Sequence, residues 1–243
     1  MHSRIRLPLT GLLLLTAGVA LADDARDFLF VIDSSGSMSS RTKDGAVKID
    51  VAREVLLGLA ERLPPSARLG LMAYGHRYGA DDARTCEDIE LVLPISAPDP
   101  AALAAQLERC RPRGRTPITA SLRKAVEAIT AAGGSGSKVV ILVTDGIETC
   151  GGDPIGAAGA IRATGAEFYV VGFDLTEKEE KGVGEIASAG GGKFLPARDG
   201  VGYSGDAASR RPGHARGGPT VDEHGDDDGL CACDTRVWKR FGA

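Results

Sequence analysis

The chain is predicted to fold as an α/β sandwich of three layers, a mostly parallel central sheet with helices on both faces. Three observations lead there. Runs that are apolar at consecutive positions occur at Phe28–Ile32, Leu69–Ala73, Val139–Val143 and Phe168–Val171, as in strands buried on both faces. The segments between most of them carry helical spacing instead. A further run, Ile89–Ile95, follows Leu69–Tyr74 too closely for a helical crossover, so it should be a short antiparallel edge strand.

The elements follow in order. His2-Ser3-Arg4-Ile5-Arg6 is a basic head, Leu9–Leu21 is apolar, and Ala20-Leu21-Ala22 has the small-x-small form of a cleavage site. Residues 1–22 therefore read as a secretory signal peptide. The apolar run is short for a membrane span and is followed at once by Asp23, Asp24, Arg26 and Asp27. The mature chain is expected to be periplasmic or secreted, with no stable membrane insertion after signal cleavage. Strand Phe28–Ile32 runs into Asp33. Val51, Val55, Leu59 and Leu63 repeat every four residues in a helix stopped by Pro64-Pro65. After Leu69–Ala73 and the edge strand comes a short helix, Ala101–Cys110. Ile118, Leu122, Val126 and Ile129 form the stripe of the next helix, ended by Gly133-Gly134. Pro117 suits its first position, which makes Thr116 the N-cap. Val139–Val143 leads to Asp145, Pro154–Ala163 is helical, and Phe168–Val171, one more helix and a strand near Lys193–Leu195 complete a Rossmann-like domain over residues 26–198.

From about Asp199 the apolar periodicity stops and Gly, Arg, Asp and His dominate, so residues 199–243 are expected to form a disordered or aberrant tail. With 243 residues, 43% hydrophobic, the chain can bury one substantial core, and a formal net charge of -4 gives no reason to expect nucleic acid as a partner.

In open α/β sheets ligands sit beyond the carboxyl ends of the strands. Asp33 and Asp145 both end strands there. Ser35 and Ser37 follow Asp33 at alternate positions, and Thr116 opens a helix from the same edge. Two aspartates, two serines and a threonine are hard oxygen donors suited to Mg²⁺, Mn²⁺ or Ca²⁺ and poorly suited to zinc. Asp33-Ser34-Ser35-Gly36-Ser37, with Thr116 and Thr144-Asp145-Gly146, resembles the metal-ion-dependent adhesion site of von Willebrand factor type A domains. The resemblance covers about residues 26–198. Tyr74-Gly75-His76-Arg77 and Glu148–Pro154 are similar to a bacterial exported branch of that family. The resemblance implies that Ser35, Ser37 and Thr116 bind the metal directly, while Asp33 and Asp145 act directly or through water. It also implies a protein partner presenting Asp or Glu to the ion, and binding rather than turnover. Two departures stand out: the family's closing helix is not seen after Ala197, and no second cysteine follows Cys150 to make a local bridge.

His76 and Glu148 are candidates to support the cradle from behind. They are also the only general bases available to an alternative reading, a metal-dependent hydrolase. A structural subunit of an envelope complex is a further alternative. Five cysteines leave at least one without an intramolecular partner. Cys86, Cys110 and Cys150 all fall toward the same sheet edge; Cys86–Cys110 is the preferred disulfide, with buried or free thiols as the other outcome.

Overall fold

The computed structural model describes residues 26–134 and 136–197. The expected signal peptide and the tail from residue 199 lie outside the described residues. Six strands form one sheet: β1 (Arg26–Asp33), β2 (Arg68–Tyr74), β3 (Ile89–Ser96), β4 (Ser137–Thr144), β5 (Glu167–Phe173) and β6 (Lys193–Ala197), in the spatial order β3-β2-β1-β4-β5-β6. All neighbours are parallel except β3, which runs antiparallel to β2 at the edge. The edge position suits Pro94, which cannot donate to a ladder, and the β2–β3 register is irregular on either side of Leu71.

Period-two packing divides the core. Phe28, Phe30 and Ile32 of β1, with Val139, Ile141 and Val143 of β4, meet α1 (Lys48–Ala60) and α2 (Pro100–Arg109). Leu29, Val31, Val140 and Leu142 face the other way, toward α3 (Ile118–Ala131), α4 (Pro154–Ala163) and α5 (Glu177–Ala189). Burial of both faces accounts for strands that are apolar at every position. Among the described residues no helix is long and apolar enough to cross a membrane.

The helix boundaries follow local chemistry. Asp99 caps α2 by accepting from the amides of Ala101 and Ala102, and Asp153 caps α4 through the Gly156 amide. Thr176 and Glu179 form a reciprocal capping box on α5. Two expectations shift slightly. Helix α1 stops at Ala60, so Leu63 lies beyond it and packs against the core from the following turn. Helix α3 starts at Ile118 with Pro117 as its boundary residue, so Thr116 stands outside the helix and does not cap it.

The sheet order has one consequence for function. β1 lies between β2 and β4, and all three run the same way. Asp33, Gly75 and Asp145 therefore leave the sheet side by side, where the connections from β1 and β4 depart to opposite faces. That is the crevice in which open α/β sheets hold ligands.

Candidate metal centre

Asp33 ends β1 with no exposed surface. One carboxylate oxygen, Oδ1, accepts from the Ser35 amide at 2.7 Å, and the other, Oδ2, accepts from Thr144 Oγ1 at 2.7 Å. Tyr74 OH donates in turn to Thr144 Oγ1 at 3.3 Å. The chain then turns through a single 3-10 turn, Gly36–Ser39, pinned by the buried Met38. This turn brings Ser35 Oγ within 3.0 Å of Ser37 Oγ, and Ser37 Oγ donates to Asp145 Oδ1 at 2.7 Å. Four of the five predicted donor residues, Asp33, Ser35, Ser37 and Asp145, are thus gathered by short hydrogen bonds.

Thr116 arrives on a separate loop that is stitched to both others through the backbone. The Arg113 amide donates to Ser34 O and Gly75 O, and the Gly114 amide to Gly75 O, at 2.8–3.1 Å. The Gly36 amide returns a bond to Gly114 O at 2.9 Å, and Ser35 and Gly114 form an isolated parallel bridge. On the far side, the Thr116 amide donates to Thr149 Oγ1 at 2.8 Å while the Thr149 amide donates to Thr116 O at 3.1 Å. Thr116 itself is buried.

Glu148 takes the capping role expected of Thr116. Its Oε2 accepts from the Thr119 amide and its Oε1 from the Cys150 amide, each at 2.7 Å. The carboxylate ties the β4–α4 loop to the start of α3, supporting Thr116 from behind and leaving neither oxygen free of an amide. His76 is turned toward β3, with Nε2 at 3.3 Å from Glu90 Oε2 and Nδ1 at 3.8 Å from Asp88 Oδ1. No hydrogen bond among the described residues joins it to the aspartate and serine donors. The two general bases that a hydrolase would need are both engaged elsewhere.

The expected Cys86–Cys110 pairing is overturned: the disulfide is Cys86–Cys150, and Cys110 is free and buried. Cys110 follows α2 and packs into the core layer beneath α1, where its thiol donates to Gln106 O and burial pushes its pKa up to about 12. Cys86 sits in the short turn Thr85–Glu87 and Cys150 in the β4–α4 loop, so the bond braces the segments on either side of Arg113–Thr116.

The residue that motif reading missed is Lys48. It begins α1, and its Nζ donates to Asp145 Oδ2 at 3.1 Å and lies 3.8 Å from Asp174 Oδ2. Among the described residues no salt bridge reaches Asp33: burial first, and the charge of Asp145 second, push its pKa up to about 6. Burial and the charge of Asp33 likewise raise Tyr74 well above the ordinary phenol value.

This donor set fits a hard divalent ion. Oxygens bound at about 2.1 Å in an octahedron lie about 3.0 Å from their neighbours. The Ser35–Ser37 and Ser37–Asp145 oxygen separations of 3.0 and 2.7 Å are close to that spacing. A positive charge there would also relieve the two buried carboxylates. Among the described residues no group of three or more His, Cys, Asp or Glu is placed to hold a metal ion; the candidate donors are hydroxyls around two carboxylates.

Comparison with known proteins gives one family and several fold neighbours. The von Willebrand factor type A domain family matches residues 27–200. The uncharacterized protein YwmC of Bacillus subtilis (strain 168) is 32% identical over 170 residues, 69% of this chain and 74% of that protein. The pilus adhesin SpaC of Lactobacillus rhamnosus GG superposes with a TM-score of 0.57 at 16% identity, over 71% of this chain and 28% of that one. Proximal thread matrix protein 1 of the mussel byssus, solved with a zinc-occupied MIDAS motif, gives 0.54 at 18% identity, over 72% of this chain and 42% of that one. The chain spans less than half of either solved protein, and both share its fold.

Proposed function

The chain belongs to the von Willebrand factor type A family, and from that premise we propose that it is a divalent-metal-dependent protein-binding module acting outside the cytoplasm. Ser35, Ser37 and Thr116 would hold the ion, with Asp33 and Asp145 acting directly or through water. Bound there, Mg²⁺, Mn²⁺ or Ca²⁺ supplies Lewis acidity toward an Asp or Glu side chain of a protein partner. The observation that carries this reading is the chain of contacts Ser35–Ser37–Asp145 beside the buried, uncompensated Asp33. An adhesin and a byssus matrix protein among the fold neighbours agree with a binding role. The engagement of Glu148 and His76 speaks against hydrolysis. The Cys86–Cys150 disulfide favours an oxidising compartment, in keeping with export.

Pull-down from an envelope extract with Mg²⁺, against the same extract with EDTA, tests the proposal. Thr116→Ala removes one hydroxyl and none of the backbone bonds that stitch its loop. The variant should fold as the wild type does and lose the Mg²⁺-dependent partner. Capture that is equal with Mg²⁺ and EDTA would overturn the metal-dependent reading.

A further inference from the structure

We propose that Lys48 sets the charge of this site, weakening its hold on the ion while strengthening the attraction of the loaded site for an anionic partner group. The inference rests on the metal-dependent reading above. Lys48 is placed against local preference. It opens α1, where the helix dipole favours acidic side chains, and its side chain is only 10% exposed. A lysine buried there at the expense of dipole and hydration is held by its carboxylate partners. The nearer partner is Asp145, whose side chain is fully buried and whose other oxygen already accepts from Ser37. Asp174, at 3.8 Å with a side chain 23% exposed, is the outer partner.

The charge count gives the consequence. The candidate donors contribute two negative charges from Asp33 and Asp145 and none from the hydroxyls. A divalent ion cancels both, and Lys48 adds one positive charge on an atom bonded to one of the donor carboxylates. Whatever Asp174 contributes, the site with Lys48 is one unit more positive than the site without it. That unit repels the incoming ion and attracts an incoming carboxylate. Lys48 thus shifts the two affinities in opposite directions: the ion is held more weakly, and the loaded site gains more from an anion.

The test compares the wild type with Lys48→Met, Lys48→Gln and Lys48→Arg. Mn²⁺ affinity is measured by calorimetry, and acetate binding to the Mn²⁺-saturated protein by water proton relaxation. Lys48→Met should bind Mn²⁺ at least about tenfold more tightly and acetate several-fold more weakly, whereas Lys48→Arg keeps the charge and the wild-type pattern. Loss of packing alone would not move the two affinities in opposite directions. If Lys48→Met does not fold by circular dichroism, Lys48→Gln, uncharged but polar, carries the same comparison. Unchanged affinities in the uncharged variants, or both moving the same way, overturn the inference alone. Absence of Mn²⁺ uptake by the wild type overturns the inference together with the reading on which it rests.

Discussion

Asp88, the residue before β3, has a fully buried side chain gripped by three donors. Arg77 Nε gives a bond of 2.7 Å to Oδ1, and the Arg77 and Tyr78 amides give bonds of 2.6 and 3.0 Å to Oδ2. Burial opposes its charge, but the Arg77 side chain and the two amides outweigh burial and hold its carboxyl below the usual carboxylate value. The native state therefore binds fewer protons than the unfolded chain in acid. The stabilisation is fully present above the ordinary carboxylate pKa and is lost as pH falls through the lowered native value. Asp88→Asn should cost about 2 kcal/mol at neutral pH in urea titrations, with the difference from wild type narrowing below about pH 4. A difference that stays constant on acidification would remove Asp88 from that role. Residues of this kind were not legible in the sequence. The candidate ligands Asp33, Ser35 and Ser37 were, because a strand end and a two-residue alternation place them by local geometry alone. Lys48 and Asp88 act through contacts to residues distant in the chain or in a turn whose path no periodicity encodes.

At the scale of elements, the loops beyond β1 and β2 and the α2–α3 loop that carries Thr116 meet at Gly75. Its backbone takes φ +70, and a Cβ there would lie 2.8 Å from Arg115 O and 3.0 Å from the Ser35 amide nitrogen. Those neighbours are backbone atoms, so they cannot move aside as a flexible side chain would. Gly75→Ala should destabilise the domain by about 2 kcal/mol or more and abolish Mn²⁺ binding, measured by urea titration and calorimetry on the same sample. A variant that keeps both would show that the Thr116 loop is not positioned through this crossing. The element order was readable because buried parallel strands and amphipathic helices carry distinct periods. The disulfide was not. Cys86 and Cys110 looked closer because both flank the β3 and α2 region, but α2 turns Cys110 inward to the core beneath α1. Only the lack of a local partner for Cys150 hinted at a distant one.

Across the whole molecule the cross-link and the candidate site act on the same loops. Cys86 and Cys150 are 64 residues apart in the chain, and the bond closes a loop containing β3, α2, α3 and β4. In the chain-entropy picture such a loop stabilises the fold by about 4 kcal/mol by restricting the unfolded chain. The bond also joins the turn at Thr85–Glu87, where Thr85 Oγ1 accepts from the Arg115 amide at 3.0 Å, to the loop that holds Thr116 through Thr149. Opening it should then have two separable effects. Cys86→Ser with Cys150→Ser should lower the urea-derived stability toward that amount, and should also weaken Mn²⁺ binding measured well below the unfolding transition, because the Thr116 loop loses its brace on both sides. Non-reducing peptide mapping should recover the Cys86–Cys150 peptide pair with Cys110 alkylated only after unfolding. Reduced stability with unchanged Mn²⁺ affinity would confine the disulfide to the unfolded state, and would mean that the backbone crossing at Gly75 positions the threonine unaided.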